Sequence, residues 1–405
     1  MNTLFRTKQE CCGCESCIDS CPISIISRTI DEEGFLYPYV TAPDKCLHCN
    51  KCKTVCPVKN NDRIQNYSEE PYVGYIDDEE FVKECSSGGL ATAISTSFIK
   101  NGGIVYGVSY SDDYMSIEYK RASELFELKR FRTSKYAQSS KGNVYSMVHK
   151  DLSLGFKVLF IGLPCEVNAV KLLLGTDHPN LYAVSLICHG VTSPHVHKQY
   201  ISNLLQAHQA NHILFFSLRH KIKGWKPYYI KTIFDNDKVS LEKFENSTYG
   251  NAFIFFKRLS CNTCKIKRGY IRSDITLGDY HYGGKVRPVL SNSYGVSQIV
   301  VHTEKGNELL KEVEGLIYQK IGLNTVIRNI AYSWAIPKKW NRKEFGRAFA
   351  RRGLNYAVNL PSCYIIRSEI HIKGIVMKRL SAIKQFMLRY IQKKLFNLFR
   401  LSPIK

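Results

Sequence analysis

The chain has 405 residues, which is too long for one small domain and long enough to bury a substantial hydrophobic core. Its 57 lysines and arginines exceed its 35 acidic residues, for a formal net charge of +22, and this excess lies almost wholly beyond residue 60. Such a basic body suits an acidic redox partner, an anionic cofactor or substrate, or a membrane surface. Because no zinc-finger or RNP signature accompanies the charge, we expect no nucleic acid partner.

The N-terminal sequence lacks the apolar segment of a secretory signal, and no stretch approaches the roughly 18 apolar residues of a membrane-spanning helix. Fifteen cysteines in a chain that stays inside the cell are more often metal ligands than disulfides. We therefore expect a cytoplasmic, reducing location.

Eight of the cysteines form one motif twice, with C-x2-C-x2-C-x3-C-P spacing in both copies. They are Cys11, Cys14, Cys17 and Cys21, followed by Cys46, Cys49, Cys52 and Cys56. This is the spacing of a bacterial ferredoxin with two 4Fe–4S clusters, in which the cysteine before proline ligates the other cluster. The spacing therefore predicts one cluster on Cys11, Cys14, Cys17 and Cys56, and a second on Cys46, Cys49, Cys52 and Cys21.

The alternative metal is zinc, because zinc sites also use C-x2-C pairs. Zinc does not explain two sets of four cysteines that each end in Cys-Pro, so we interpret residues 1–60 as a two-cluster ferredoxin domain. Cys12 interrupts the three-residue spacing, and we interpret it as a thiol outside both ligand sets.

After a polar linker, residues 59–71, strand and helix patterns alternate. Residues 86–100 have helical apolar spacing and end at Gly102-Gly103, before a strand at 104–110. A short apolar strand at 157–161 precedes a helix that ends near 175, and another strand follows at 181–187. Further strands are predicted at 229–234, 273–280 and 296–302, with a helix at 308–316. This mixture predicts an α+β protein, in which a small ferredoxin-like N-terminal domain precedes a larger mixed α/β domain over 71–350.

Two later cysteines directly follow predicted buried strands. Cys165 and Cys188 come at the carboxyl ends of strands, where open α/β sheets gather ligands. Cys261 and Cys264 form another C-x2-C pair, in a loop rich in lysine and arginine. Four thiolates brought together would hold a third cluster, although free buried cysteines are usually inert. Cys165 with His189 could instead be the nucleophile and base of a transferase.

Ser86, Ser87, Gly88 and Gly89 precede the helix predicted at 86–100. Backbone amides at a helix start can hold a phosphate, and glycines allow its close approach. A serine N-cap followed by glycines is, however, more often only a helix start.

The body resembles the beta-subunit family of coenzyme F420-reducing hydrogenases and dehydrogenases. The similar segments are SSGGLATA at 86–93, SKYAQS at 134–139, VLFIGLPCEVNAVK at 158–171, LICHGVTSP at 186–194, CNTC at 261–264 and SDITLGDY at 273–280. They occur in order, at separations typical of that family, between residue 72 and about residue 345. Many members of the family carry an N-terminal ferredoxin domain of the same kind.

The resemblance implies FAD and a third 4Fe–4S cluster beside it, with Cys165, Cys188, Cys261 and Cys264 as the cluster ligands. It also implies that the flavin is bound by Ser86, Ser87, Gly88, Gly89, Lys135, Tyr136, Gln138 and Asp279. Lys135 would offer its charge to the diphosphate, and the alternative is a solvated surface lysine.

Two departures from the family pattern lie near the implied active centre. The family more often has Thr-Pro-Cys-Gln where this chain has Leu163-Pro164-Cys165-Glu166, and Tyr280-His281 replaces a frequent tryptophan or phenylalanine. Both departures leave the thiols intact and leave the substrate open, coenzyme F420 in particular.

We therefore predict an oxidoreductase that passes electrons from the ferredoxin-type clusters through a third cluster and FAD to a two-electron substrate. One prediction is that the reaction serves surface-polysaccharide biosynthesis. The expected partners are a redox protein of acidic character and a small-molecule substrate or F420-like cofactor. The alternative is a non-catalytic electron-transfer or redox-sensing subunit of a larger complex.

The C-terminal segment, residues 365–402, is basic and has apolar residues at helical spacing. This pattern predicts an amphipathic helix that packs on the domain or on a partner. Its alternative is peripheral attachment to the inner face of a membrane.

Overall fold

The computed structural model describes residues 4–63, 68–175, 178–281, 290–333 and 342–363. The predicted tail at 365–402 lies outside the described residues, so its helix stays a prediction. Within the described ranges, no helix combines the length and the apolar character needed to cross a membrane.

The N-terminal module consists of two very short helices and one hairpin. The helices are α1 (Ser16–Asp19) and α2 (Lys51–Thr54), and each begins after the second cysteine of one motif. Strands β1 (Ile26–Ile30) and β2 (Leu36–Val40) pair antiparallel between the two motifs.

The body is built on an eight-stranded mixed sheet with the strand order β13-β3-β12-β11-β7-β6-β4-β5. Strands β4, β6, β7 and β11 run parallel to one another, and the outer pairs are antiparallel. The strands are β3 (Glu70–Ile76), β4 (Ile104–Tyr110), β5 (Ile117–Ala122), β6 (Val158–Gly162), β7 (Leu181–Leu186), β11 (Ile275–Asp279), β12 (Ser297–Val301) and β13 (Leu316–Lys320). A separate antiparallel sheet contains β8 (Ile213–His220), β9 (Tyr229–Phe234) and β10 (Val239–Lys243).

Helices connect and cover these strands. They are α3 (Glu79–Lys83), α4 (Leu90–Lys100), α5 (Val144–Ser153), α6 (Pro164–Leu174), α7 (Pro194–His208), α8 (Thr248–Phe255), α9 (Leu259–Asn262), α10 (Glu304–Lys311), α11 (Leu323–Ile327), α12 (Ile330–Ser333), α13 (Arg342–Arg352) and α14 (Leu354–Val358). The predicted fold class, a small iron–sulfur module followed by a larger mixed α/β domain, is confirmed. The predicted tail helix is the part of that description that stays untested.

The central strands of the sheet bring the candidate site residues to one edge. Strands β6 and β7 are almost wholly buried and nearly continuously apolar, as expected for parallel strands covered on both faces. Gly162 at the end of β6 pairs with Ser185 near the end of β7, so the segments that carry Cys165 and Cys188 leave the same edge of the sheet. Strand β11 runs parallel beside β7 and ends at Asp279, at the same edge.

The helix predicted at 308–316 differs from the structure. Helix α10 spans Glu304–Lys311, and Leu316 already begins β13. Gly315 has a φ of +66°, a left-handed conformation that ends the helical path and turns the chain into the edge strand.

The module packs directly on the body. Phe35 and Tyr37 of the module belong to the same hydrophobic cluster as Phe256 and Phe345 of the body. Arg342 adds an ion pair with Glu33, at 2.6 Å between Nη2 and Oε2. The two parts therefore share a core, and the first cysteine motif lies against the body, where Gln138 and Tyr145 donate to the carbonyls of Gly13 and Cys14.

Candidate redox sites

The two copies of the cysteine motif have the same backbone conformation. Gly13 and Glu15 flank Cys14 with φ values of +75° and +63°, and His48 and Asn50 flank Cys49 with +50° and +58°. Alternating left-handed residues turn successive backbone N–H groups towards one side and make concave anion sites of the kind found around iron–sulfur clusters. The sequence repeat is thus also a structural repeat, and its loops suit a negatively charged cluster.

The first predicted ligand set converges. Burial raises the pKa of the Cys17 thiol well above its usual range, and the nearby Cys14, Cys11 and Cys56 thiols raise it further. Cys56, from the other motif, also interacts electrostatically with Cys14. These four are the cysteines predicted for the first cluster, including the one borrowed from the second motif.

The second ligand set lies nearer the surface. Cys46 and Cys49 are exposed, and Cys52, which is half-buried, interacts electrostatically with both. Cys21 is half-buried as well. The described residues contain no three His, Cys, Asp or Glu side chains close enough together to hold one metal ion. A cubane cluster spreads its thiolates around four irons, farther apart than the ligands of a single zinc ion.

The four later cysteines also converge. Cys188 interacts electrostatically with Cys165 and Cys261, Cys261 with Cys165 and Cys264, and Cys264 with Cys165 and Cys188. Every pair among the four is therefore close. Burial is the main cause that raises the pKa of Cys188 to about 12, and of Cys261 and Cys264 to about 11. Four thiols this close together carry a large cost of desolvation and mutual repulsion as thiolates, and metal coordination offsets that cost.

We call Cys165, Cys188, Cys261 and Cys264 the body set. One lysine and one glycine lie against these cysteines. Lys267 donates to the carbonyls of Cys188 and Ala331. Its charge partly offsets the rise that burial causes in the pKa of Cys188 and Cys264. Gly190 has a φ of +102° and donates its N–H to the Cys188 sulfur at 3.2 Å. A Cβ at Gly190 would lie 3.1 Å from the Cβ of Cys261, so glycine is needed for this approach.

Cys12 joins the body set to the module. Its thiol interacts with the thiols of both Cys14 and Cys165. Cys12 lines a cavity of about 50 Å³ together with all four cysteines of the body set. The sequence placed Cys12 outside both ligand sets, and the structure places it between the first ligand set and the body set.

A larger cavity of about 250 Å³ adjoins the body set. Cys188, His189 and Gly190 line both cavities, so the two cavities share a wall. The larger cavity lies against the start of helix α4, where Gly89 is the N-cap and no side chain caps the first amides. An uncapped helix start with free N–H groups favours an anion.

Most of the residues predicted to bind flavin line this larger cavity. The six that do so are Ser86, Ser87, Gly89, Lys135, Tyr136 and Asp279. Gly88 instead packs against the β3 and β12 backbone, and a Cβ there would lie 2.6 Å from the Gly74 oxygen. Gln138 lies at the junction between the module and the body. Its amide accepts from the Leu36 N–H at 3.1 Å and donates to the Gly13 oxygen at 3.3 Å.

Lys135 is half-buried in the wall of this cavity. Its Nζ donates to the carbonyls of Arg130, Arg132 and Thr133. Burial lowers the pKa of Lys135 to about 7. A bound anion would favour its charged form, so Lys135 fits a diphosphate site better than it fits a solvated surface.

An ion pair forms one wall of the cavity. Arg219 donates from Nη1 to Asp279 Oδ2 at 2.8 Å and from Nη2 to Oδ1 at 3.2 Å. Burial raises the pKa of Asp279, but the charge and hydrogen bonds of Arg219, with smaller contributions from His281 and Ser87, together make the net shift downward. His189 stands on the other side, with a pKa lowered to about 4, mainly by burial. The carboxylate is therefore charged and the imidazole neutral near pH 7.

Sequence reasoning missed Arg219, Lys267 and Arg258, which surround these sites. Arg258 immediately precedes the helix that carries Cys261, but a single arginine in a basic chain gives no signal of its own. Glu166 was noticed only as a departure from the family pattern. In the structure it is buried, lines both cavities and pairs with Lys141 at 2.5 Å.

Comparison with known protein families agrees with this geometry. Residues 155–321 match the family model for the C terminus of the beta subunit of coenzyme F420 hydrogenase/dehydrogenase, and residues 10–60 match that of the 4Fe-4S dicluster domain. The predicted resemblance is confirmed, although the matched range excludes the SSGG and SKYAQS segments. The chain is thus an iron–sulfur protein of oxidoreductase type, related to F420 hydrogenase beta subunits.

One solved structure with a similar chain is the F420-reducing [NiFe] hydrogenase complex from Methanosarcina barkeri. The alignment has 18% identity and a TM-score of 0.45, and it covers 67% of this chain and 90% of the other. No curated protein matches the chain.

Proposed function

We propose that the chain is an iron–sulfur flavoprotein oxidoreductase that passes single electrons inward to a two-electron reaction. Two ferredoxin-type 4Fe–4S clusters would be held by the doubled motif, and a third would be held by the body set. The four mutually close thiols of the body set, buried beside Lys267, support that third cluster. The ferredoxin-type ligand sets are supported by the repeated left-handed loops.

The observation that carries the proposal is the contact between the two cavities. Cys188 and His189 line both the cavity of the body set and the larger cavity next to it. A cofactor in the larger cavity would therefore lie directly beside the third cluster. FAD bound there would exchange single electrons with a cluster and an electron pair with a substrate.

The protein groups around the larger cavity suit a flavin dinucleotide. The uncapped start of α4, with Ser86 and Lys135 beside it, offers N–H and hydroxyl donors and a nearby positive charge to a diphosphate. The Tyr136 and Phe253 rings, 4.7 Å apart between centroids, line the apolar part. A volume of about 250 Å³ is near the lower end of the roughly 300–1,000 Å³ range of small-molecule sites. We therefore infer that it receives the ring system and that the rest of the dinucleotide extends outward.

The structure offers no paired nucleophile and base among its described residues at this site that would favour a transferase. Cys165 is one of four converging thiols, and His189 is a weak base because burial lowers its pKa to about 4. Coenzyme F420 and a surface-polysaccharide precursor both stay predictions for the substrate.

We infer that the electron donor is an acidic protein that docks at the second ligand set. Cys46 and Cys49 are exposed there, next to the exposed side chains of Leu47, Lys45, Lys51 and Lys53. An apolar centre with lysines around it suits brief contact with a negatively charged carrier.

Flavin content tests the catalytic proposal. Anaerobically purified protein should release FAD on denaturation, or should bind added FAD with micromolar or better affinity. Measurement is by absorbance and fluorescence of the released cofactor after separation from the protein. Absence of both release and binding would overturn the flavoprotein proposal and leave the non-catalytic electron-transfer subunit.

A further inference from the structure

Arg258 is a buried cation at the junction between the N-terminal module and the body. Its side chain is 0% exposed. Nε donates to the Cys11 carbonyl at 2.9 Å, and Nη1 donates to the Leu36 carbonyl at 3.0 Å and to Gln138 Oε1 at 2.9 Å. Nη2 lies 3.5 Å from the Cys11 sulfur. One guanidinium therefore touches both the backbone and the sulfur of a predicted cluster ligand.

The partners of Arg258 leave its charge without a contacting carboxylate among the described residues. The neighbouring arginines Arg28 and Arg342 pair with Glu15 and Glu33, whereas Arg258 donates to carbonyls, an amide oxygen and a cysteine sulfur. The buried Glu15 acts on it only from a longer range. Burying a cation without an anion costs several kcal/mol, so an anionic group is expected nearby. A 4Fe–4S cluster with four thiolates is such a group.

The surroundings hold the guanidinium in one position. Its carbon lies 3.9 Å from the centre of the Tyr37 ring. The absence of a side chain at Gly13 leaves room for the guanidinium, because a Cβ on Gly13 would lie 2.8 Å from the guanidinium carbon. The Arg258 backbone donates to Val191 at 2.9 Å and accepts from the Cys261 N–H at 3.0 Å. Arg258 is thus fixed between a ligand of the first set and a ligand of the body set.

We propose that Arg258 is the counter-ion of the first ferredoxin-type cluster, and that its charge raises the reduction potential of that cluster where the electron leaves for the body. Reduction adds one electron and makes the cluster more negative, so a fixed cation beside it stabilises the reduced form. Hydrogen bonds to the cluster sulfurs act in the same direction. Cys12, whose thiol interacts with the thiols of Cys14 and Cys165, then lies on the short path from that cluster to the body set. This role rests on the proposed function.

The test is a redox titration monitored by electron paramagnetic resonance on full-length protein purified anaerobically. Arg258→Met should lower the midpoint potential of one ferredoxin-type cluster and leave the other unchanged. Arg258→Lys, which keeps the charge, should stay closer to wild type. If Arg258→Met loses iron, Arg258→Gln removes the charge while keeping an N–H donor at the position from which Nε reaches the Cys11 carbonyl, and it should show the same lowering.

Arg342→Met is the matched control. Arg342 is also buried and also ties the module to the body, through Glu33 and the Lys257 carbonyl, but the contacts of its guanidinium include no cysteine of the described chain. It should leave both potentials unchanged. Iron-loaded Arg258→Met or Arg258→Gln with unchanged potentials would overturn the proposal, as would an equal shift in Arg342→Met. A wild-type protein without the clusters would instead overturn the proposed function itself.

Discussion

At the scale of single residues, charge inside the larger cavity is set mainly by burial. Lys135 and Lys221 both have pKa values lowered to about 7 by burial, although lysine in water titrates near 10.5. Lys221 donates to the Val82 and Ser87 carbonyls and supports the loop before α4. Lys135 lines the cavity itself. Its protonation near neutral pH should therefore respond to an anionic ligand.

Lys135 gives the binding of FAD a pH dependence. Below pH 7 the ammonium is present and attracts the diphosphate, and above pH 7 free protein loses that charge, so binding must take up a proton. We expect the affinity for FAD to fall roughly tenfold between pH 6 and pH 9. Fluorescence titration of cofactor-depleted protein measures it.

Lys135→Met should bind FAD more weakly at pH 6 and should lose most of this pH dependence. Lys129→Met is the control, because Lys129 is exposed on the same loop and does not line the cavity. A Lys135→Met protein with the wild-type pH profile would contradict the assigned role of Lys135.

At the scale of elements, the start of α4 is held by close backbone packing. The Gly88 N–H donates to Ser297 Oγ at 3.0 Å, and the Gly88 carbonyl accepts from the Ile76 N–H at 2.9 Å. There is no space for a side chain, because a Cβ at Gly88 would lie within 3.0 Å of the Gly74 oxygen and of the Ser297 nitrogen. The two glycines before the helix thus have different roles, since Gly89 alone has positive φ, at +91°.

Gly88→Ala should destabilise the protein by roughly 1–3 kcal/mol, because the added methyl group meets backbone atoms that cannot rotate away. It should also weaken FAD binding by shifting the first amides of α4. Thermal unfolding followed by circular dichroism measures the first effect. Gly322→Ala is the control, since no atom of the described residues lies within 4 Å of the position its methyl group would take and its φ is ordinary. Equal stability of the two variants would contradict this account of Gly88.

The sequence predicted the elements whose signal is local. The strands at β6 and β7 and the spacing of the doubled cysteine motif lie in short contiguous segments, and the structure has them close to where they were expected. Gln138 shows what local sequence signals do not predict. The resemblance implied flavin binding, but the amide lies between Leu36, Gly13 and Arg258, which are far apart in sequence. Contacts across the junction depend on how the module packs, which residue patterns do not encode.

At the scale of the whole molecule, the ligand sets follow one another from the surface inward. The second set, with Cys46 and Cys49, is exposed, whereas Cys14 of the first set is buried and Cys12 lies between the first set and the body set. The larger cavity adjoins the body set. This order favours electron entry at the lysine-flanked face and exit at the cavity.

Charge reversal at that face should slow the entry of electrons. Lys45→Glu, Lys51→Glu and Lys53→Glu together should reduce the second-order rate of reduction by a reduced flavodoxin, an acidic one-electron carrier, by about tenfold or more at low ionic strength. Added salt should shrink the difference. Stopped-flow absorbance measures the rate.

The matched control reverses three exposed lysines elsewhere, Lys150, Lys243 and Lys311, and changes the net charge by the same amount. Similar slowing in both triple variants would show an effect of net charge alone and would contradict a docking site at the second ligand set.

Iron analysis of anaerobically purified protein tests the central claim most directly, with wild type measured beside the double variant Cys261→Ser and Cys264→Ser. We predict about twelve irons per wild-type chain and about eight in the double variant, whose ferredoxin-type signals should persist. Cys363→Ser, a buried cysteine in the hydrophobic cluster of the body, should match wild type. Equal iron in wild type and double variant would contradict the third cluster. About four irons or fewer in wild type, with zinc present, would contradict the two-cluster module as well.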